Sequence, residues 1–233
     1  MIYVSSDLHG CPVAEFEALL QSAGFSDSDY LFILGDVIDR GEHGAELLLW
    51  LTRQPNVQLI LGNHEAMALA CSFLFDEVTQ ETLTYLTPER LSLVENWMFN
   101  GGDPTMQGLR SILKQDPELL AGIWDYLRDA PLYEDLSIDG KRFILVHAGL
   151  GNFRPDRPLE NYTPEELLME RPAPDDRYFE DAAVIFGHTP TAYYGRQYRW
   201  RAVHTDTWTC IDTGAASGNK PMLLRLDDMA EFY

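Results

Sequence analysis

The chain has 233 residues, of which 37 are acidic and 17 are basic, so its formal net charge is −20 at pH 7. Hydrophobic residues make up 45% of the chain, which is enough for a sizeable core and excludes disorder as its main state. So acidic a chain lacks the basic face that nucleic acid or anionic lipid requires, and we expect neither partner. Phosphate chemistry stays open if something other than lysine supplies positive charge.

The cysteines and the first residues indicate a compartment. Cys11, Cys71 and Cys210 are odd in number and lack CxxC spacing, which predicts free thiols in a reducing environment. Residues 1–10 lack the basic and apolar regions of a signal peptide, and no run approaches the ~18 apolar residues of a membrane span. We therefore expect a soluble, cytoplasmic protein, and the sequence leaves its oligomeric state open.

Short apolar runs bounded by Gly, Asp or Pro predict the strands, at 2–5, 30–34, 57–61, 143–146, 183–186, 208–211 and 222–226. Helical spacing of apolar residues at 12–23 and 42–52 separates the first three strands. This β-α-β-α-β order is typical of a parallel sheet.

After the first three predicted strands, the sequence pattern indicates a helical segment and then an antiparallel hairpin. From residue 65 to about 128 the pattern is helical, with Thr87-Pro88 and Asp116-Pro117 as predicted helix starts. Asp139-Gly140 predicts a hairpin, so the second half of the fold begins antiparallel. We predict an α/β fold in a single domain over residues 1–233, with a helical insertion at about 66–128.

Polar side chains of the kinds that bind metals follow five of the predicted strands. In chain order they are Asp7 and His9, then Asp36, then Asn63 and His64, then His147, then His188. Ligands of open α/β sheets bind beyond the carboxyl ends of the strands, so we expect these residues to converge at one edge. A single histidine after a buried strand is more often a satisfied core residue, but five such strand ends reverse that expectation.

Two carboxylates, an amide and several imidazoles without a thiolate suit Mn, Fe or Zn better than Ca or Mg. We predict two divalent ions, with Mn favoured and Fe or Zn as alternatives. Asp7, His9 and Asp36 would hold one ion, and Asn63, His147 and His188 the other, with Asp36 between them. Two ions bring four positive charges against two carboxylates, and the surplus would attract a phosphate dianion.

The motifs around these residues resemble those of the phosphoprotein phosphatase class of calcineurin-like metallophosphoesterases, and its compact bacterial and phage members in particular. Five motifs in order carry the resemblance, which extends to about residue 226: Asp7-Leu8-His9-Gly10, Gly35-Asp36-Val37-Ile38-Asp39-Arg40-Gly41, Gly62-Asn63-His64-Glu65, His147-Ala148-Gly149 and Gly187-His188-Thr189-Pro190. The resemblance implies a mixed β-sandwich flanked by helices in α-β-β-α layers.

The resemblance also implies residue roles. His64 matches the general acid that protonates the leaving oxygen, and Asp39 matches the carboxylate that orients it. Arg40 matches a phosphate clamp, with Asn63 also at the phosphate, and Arg171 lies where bacterial relatives place a second clamp. Three other arginines are rivals for that second role: Arg154, Arg157 and Arg177.

The implied reaction is direct attack of a metal-bridging hydroxide on the phosphorus of a phosphomonoester, without a phosphoenzyme. We expect a serine/threonine protein phosphatase, with tyrosine left open, that acts on a phosphorylated protein or peptide. The alternative is a hydrolase of diadenosine polyphosphates or cyclic phosphates from the same superfamily. Such relatives typically carry alanine at the place of Asp39 and aspartate at that of Glu65, and no second basic cluster lies near the motifs, so we expect the phosphatase.

A third reading is a non-catalytic scaffold, against which the intact ligand set argues. The aromatic and basic stretch at 193–201 could stack on a substrate, but an ordinary hairpin beside the site is the favoured interpretation.

Overall fold

The computed structural model describes residues 1–77, 79 and 86–233. The described strands are β1 (Ile2–Ser5), β2 (Tyr30–Leu34), β3 (Val57–Ile60), β4 (Tyr133–Ile138), β5 (Lys141–Val146), β6 (Ala182–Phe186), β7 (Val203–His204), β8 (Trp208–Cys210), β9 (Leu223–Arg225) and β10 (Ala230–Phe232). The described α-helices are α1 (Val13–Ser22), α2 (Gly44–Leu51), α3 (Asn63–Ala70), α4 (Pro88–Phe99), α5 (Asp103–Gln115), α6 (Pro117–Asp129) and α7 (Pro164–Leu168).

Two five-stranded mixed sheets form the fold. The first has the order β10-β9-β1-β2-β3, in which β1, β2 and β3 are parallel as the β-α-β-α-β pattern predicts. The second has the order β4-β5-β6-β8-β7 and begins with the antiparallel β4–β5 hairpin around Asp139-Gly140. The predicted α/β sandwich is therefore confirmed.

Successive side chains along each strand point to opposite faces of its sheet, and each face packs against a different layer. Val4, Phe32, Leu145 and Ile185 belong to one apolar cluster, which fills the space between the sheets. Their strand neighbours point outward, where the helices cover the first sheet around Tyr3, Leu31 and Ile33. The outer face of the second sheet packs mainly against the connection after β5, which contains the short helix α7. Strands buried on both faces explain the continuous apolar runs in the sequence.

The helices α3 to α6 lie between β3 and β4 in the chain. The side chains of Thr87 and Asp116 accept hydrogen bonds from backbone N–H groups in the first turns of α4 and α6, as the cap signals predict. α4 ends at Phe99, and Gly101 takes a φ of 96° that favours glycine. Of the helical insertion expected at about 66–128, residues 78 and 80–85 lie outside the described residues.

Two features differ from the sequence prediction. The stretch at 193–201 is not a hairpin: it forms two 3₁₀ turns, Thr191–Tyr194 and Arg196–Tyr198, because Pro190 and Gly195 interrupt an extended conformation. The short strands β7 and β10 also lack an apolar run long enough to detect. No helix in the described ranges is both long and apolar enough to span a bilayer.

Candidate metal centre and active site

The candidate ligands come together beyond the strand ends, with Asp36 at the centre. Asp36 follows β2 and is 2% exposed. Its Oδ1 lies 3.4 Å from Nε2 of His147, and its Oδ2 lies 3.6 Å from Nε2 of His9. Two groups of side chains could each hold a metal ion, because the ligand atoms within each group lie within 4.8 Å of one another. The groups are His9-Asp36-His64 and Asp36-His147-His188. Asp36 belongs to both groups, which is the position of a carboxylate shared by two ions.

A buried glutamate holds the loop from which Asp36 projects. Glu65, in the first turn of α3, accepts hydrogen bonds from the backbone N–H groups of Asp36 (2.8 Å), Val37 (2.9 Å) and Gly62 (3.1 Å). Burial, reinforced by the negative charge of Asp36, raises the pKa of Glu65 to about 7. Glu65 is a positioning residue, and its sequence motif did not reveal this role.

Backbone carbonyls orient two of the imidazoles. Nδ1 of His9 donates to the carbonyl oxygen of Ile38 (3.1 Å), and Nδ1 of His147 donates to that of Leu34 (2.6 Å). Burial lowers the pKa of both rings, to about 3 for His9. Both imidazoles are therefore neutral at pH 7 and turn the lone pair of Nε2 toward Asp36, as metal-binding histidines do.

Several acceptor atoms in the cluster face one another without a donor. Nε2 of His147 lies 2.8 Å from Oδ1 of Asn63, so two lone pairs meet there. Oδ1 of Asp7 and Nε2 of His188 are buried and have no hydrogen-bond partner within the described part of the chain. Buried acceptors of this kind are costly unless a proton or a cation satisfies them. The donor set fits divalent cations that take oxygen and nitrogen ligands.

Asp7 and His188 join the first sheet to the second at the site. The backbone N–H of His188 donates to Oδ2 of Asp7 (2.9 Å), and a Cβ at Gly187 would clash with that carboxylate. Burial raises the pKa of Asp7 well above its usual range, and the negative charges of Asp212 and Asp36 add to the effect. A bound cation would reverse this shift because it favours the charged carboxylate.

A hydrogen-bonded chain leads from the insertion to His64. Nδ1 of His64 lies 2.7 Å from Oδ2 of Asp39, and Nε1 of Trp97 donates to the same oxygen (3.0 Å). Burial lowers the pKa of His64, but the negative charges of Asp36 and Asp39 together raise it by more than burial lowers it. The net shift of this pKa is therefore upward. Trp97 was not among the candidate site residues that the sequence indicated. Its indole N–H left no trace in the local pattern because Asp39 lies 58 residues away.

Two arginines act on the site through different residues. Nη2 of Arg40 lies 3.2 Å from Nε2 of His64, which accepts the hydrogen bond. The positive charge of Arg171 contributes to the lowered pKa values of His147 and His188, and its guanidinium lies 6.0 Å from the centre of the Tyr193 ring. The three rivals each pair with a carboxylate, in the pairs Arg154–Asp156, Arg157–Glu166 and Arg177–Asp206.

Curated relatives of this chain are named "Bis(5'-nucleosyl)-tetraphosphatase, symmetrical". One from Actinobacillus succinogenes is 29% identical over 99% of this chain and 95% of its own length. One from Haemophilus ducreyi is 34% identical over 86% of this chain and 64% of its own length. One from Paracidovorax citrulli is 25% identical over 87% of this chain, which spans 63% of that relative's length.

Solved structures show the same fold at low identity. A crystal structure provisionally named a diadenosine tetraphosphatase superposes with a TM-score of 0.63 at 19% identity, over 99% of this chain and 90% of the other. A cold-active protein tyrosine phosphatase superposes with a TM-score of 0.55 at 16% identity, over 99% of this chain and 77% of the other.

The relatives correct two predictions. The expected phosphoprotein phosphatase activity and the expected phosphorylated protein or peptide partner are both wrong, because the curated relatives are named for dinucleoside tetraphosphates. The error came from Asp39 and Glu65, which the sequence reasoning used to choose the substrate class. In the structure Asp39 bonds to His64 and Trp97, and Glu65 bonds to backbone N–H groups. Both carboxylates support the site from within, so neither identifies the substrate.

The family follows from the whole chain rather than from any single motif. A family model described as "Calcineurin-like phosphoesterase" matches residues 1–216. This family uses divalent metals, in agreement with the two His/Asp groups around Asp36. The chain belongs to the calcineurin-like phosphoesterase family.

Proposed function

We propose that this chain hydrolyses dinucleoside tetraphosphates symmetrically and releases two nucleoside diphosphates. The observation that carries the proposal is the 29% identity with the relative from Actinobacillus succinogenes, which extends over 99% of this chain and 95% of that protein. A similarity that runs almost from end to end includes the insertion as well as the metal-binding motifs. It therefore supports a shared substrate class better than the motifs alone would.

The site would hold two divalent ions, with Mn as the proposed metal. Asp7, His9 and Asp36 would bind one ion, and three further residues would bind the other: Asn63, His147 and His188. When bound, the ions supply Lewis acidity that neutralises phosphate charge and acidifies water. Glu65 keeps the loop of Asp36 in place before the ions and the substrate arrive.

Arg40 and His64 would act on the substrate together. Arg40 donates to Nε2 of His64, so that nitrogen carries no proton while the contact lasts. Phosphate oxygens are stronger acceptors for a guanidinium and would draw Arg40 away. Nε2 of His64 is then able to carry a proton to the leaving oxygen, while Asp39 holds the opposite nitrogen.

Positive charge at the site is sufficient for a polyphosphate chain. Two divalent ions with Asp7 and Asp36 leave a surplus of two positive charges, to which Arg40 and Arg171 add. From the sequence we expected no polyphosphate substrate, because no second basic cluster lies near the motifs. Arg40 contacts His64, whereas Arg171 acts on His188, and this difference supports contacts to different phosphates.

A substrate panel at one Mn concentration tests the proposal. We expect kcat/KM for diadenosine tetraphosphate to exceed that for phosphoserine, phosphothreonine and phosphotyrosine peptides by more than ~100-fold, or about 2.7 kcal/mol. Asp36→Asn is the control and must lose the activity, which excludes a contaminating enzyme. Equal or faster turnover of a phosphopeptide or a cyclic nucleotide would contradict the proposal.

A further inference from the structure

A groove opens directly beside the metal centre. It encloses about 300 Å³ between α3, α4 and the end of α7, and Asn63 forms part of its wall. Small-molecule sites usually enclose about 300–1,000 Å³, so the groove has room for one compact ring system. Because Asn63 is also a candidate metal ligand, the groove lies next to the metal centre.

The floor of the groove is one face of α3. Asn63, Met67 and Ala70 are spaced at helical intervals along this face. The seven steps from Asn63 to Ala70, at a rise of ~1.5 Å each, give a floor about 10 Å long, which leads away from the metal centre. A group held here would be attached to a phosphate lying at the ions.

The walls are mostly apolar and carry no charge among the described lining residues. Leu93 of α4 and Met169 after α7 are 44% and 54% exposed, although both are large apolar side chains. The amides of Asn96 and Asn100 are the polar groups of the α4 wall. In a chain with a net charge of −20, a neutral groove beside a cationic centre suits a ligand with an uncharged flat part and an anionic part.

We propose that this groove binds one nucleobase of the dinucleoside substrate. The inference rests on the proposed function, which supplies a substrate with a base at each end of the phosphate chain. A base would pack its faces against Met67, Leu93 and Met169, while its phosphates reach the metal centre through Asn63. Met in particular adapts to flat ligands because its side chain is flexible and polarisable.

The two asparagines are fixed in a way that suits the edge of a base. Nδ2 of Asn100 donates to the backbone oxygen of Asn96 (2.8 Å), and Nδ2 of Asn96 lies 3.2 Å from the sulfur of Met67. These contacts orient both amides on the wall. An oriented asparagine amide accepts from the exocyclic amine of adenine and donates to its ring nitrogen.

Ala70→Phe tests the groove without touching the proposed metal or phosphate contacts. Ala70 is exposed at the end of α3. Helical side chains lean toward the helix N-terminus, so the new ring would lie over the groove floor. Ala121→Phe, at an exposed position of α6, is the matched control. Leu93→Ser, on the opposite wall, is the second variant and carries the test if Ala70→Phe does not fold.

The readouts are the Kd values of ADP and pyrophosphate for the Mn-loaded protein, by titration calorimetry, and KM for diadenosine tetraphosphate. We expect Ala70→Phe to raise the Kd of ADP at least tenfold and to raise KM for diadenosine tetraphosphate by a similar factor. The Kd of pyrophosphate should stay within twofold of the wild-type value. Ala121→Phe should match the wild type in all three.

The outcomes separate this inference from the proposed function. If the wild type hydrolyses diadenosine tetraphosphate but Ala70→Phe and Leu93→Ser leave ADP affinity unchanged, the groove proposal is wrong and the function stands. If ADP and pyrophosphate weaken equally, the variants act on the metal centre and the groove proposal is again wrong. If the wild type does not hydrolyse diadenosine tetraphosphate, both proposals fail together.

Discussion

Backbone strain is concentrated at the candidate site residues. Of the ten non-glycine residues with positive φ in the described part of the chain, six are candidate site residues: Asp7, His9, Asp36, Asp39, Arg40 and His188. Each such conformation costs on the order of 1 kcal/mol or more and persists only where the surroundings enforce it. Here backbone hydrogen bonds enforce it, among them Asp7 N–H to Gly35 (3.0 Å) and Arg40 N–H to Gly101 (2.9 Å). These backbone conformations orient the six side chains toward the candidate site.

His64→Ala tests the proton donor. A nucleoside diphosphate leaves as a stable anion, whereas an alkoxide needs a proton. We therefore expect kcat on an alkyl phosphate to fall by ~10²–10⁴, and kcat on diadenosine tetraphosphate to fall less. Elemental analysis should find the metal content unchanged. Equal losses on both substrates would argue against the acid role, and lost metal would make His64 a ligand with His9 and Asp36.

Trp97→Phe tests the support of Asp39 from the insertion. The indole N–H donates to both oxygens of a fully buried carboxylate, so its removal should cost about 1.5–3 kcal/mol of stability. It should also lower kcat on diadenosine tetraphosphate with little change in KM, because Asp39 then orients His64 less firmly.

The matched control is Trp124→Phe, the same substitution at a buried tryptophan in another helix of the insertion. It should lower stability by denaturant unfolding but leave kcat unchanged. If both variants lower kcat alike, Trp97 acts through packing and not through Asp39.

At the scale of elements, the insertion is attached to the first sheet through close contact between α5 and α2. A Cβ at Gly108 would lie 2.6 Å from Cβ of Ala45, so the two helices pack without room for a methyl group. Gly108→Ala should destabilise the protein by about 1–3 kcal/mol, since packed interiors resist added volume.

Gly122 in α6 provides the opposite case. It is exposed, and nothing lies within 4 Å of its ideal Cβ. Gly122→Ala should stabilise the protein by about 0.5–1 kcal/mol through helix propensity. Urea unfolding of both variants checks the pair, and stabilisation by Gly108→Ala as well as by Gly122→Ala would show that α5 and α2 are not in close contact.

The sequence predicts those elements whose signals are local. The strands β1 and β2 and the cap of Thr87 follow from neighbouring residues, and so do the polar residues at the strand ends. Glu65 and Trp97 act through hydrogen bonds to residues 29 and 58 positions away, which no local pattern encodes. The substrate class was missed for the same reason. Asp39 and Glu65 lie in conspicuous motifs, but their side chains turn inward.

At the scale of the whole molecule, metal binding should depend on pH. Burial lowers the pKa values of His9 and His188 to about 3, so both rings are neutral at pH 7 and release no proton on binding. Burial raises the pKa of Asp7, so protons compete with the metal there and affinity should rise with pH. Mn at 100 times its Kd should stabilise the fold by about 2.7 kcal/mol.

Thermal unfolding with Mn or with excess chelator, at several pH values between 5 and 8, measures this effect. The increase in Tm on adding Mn should grow as the pH rises, and Asp7→Asn should reduce the growth. An increase that shrinks as the pH rises would contradict the assignment of Asp7 as a ligand.

The most direct measurement is the identity of the products formed from diadenosine tetraphosphate by the Mn-loaded protein in ¹⁸O-labelled water. We expect ADP as the sole nucleotide product, with one ¹⁸O atom on the terminal phosphate of half of the ADP molecules, and no activity in excess chelator. AMP and ATP as the products, unlabelled ADP, or full activity in chelator would contradict it.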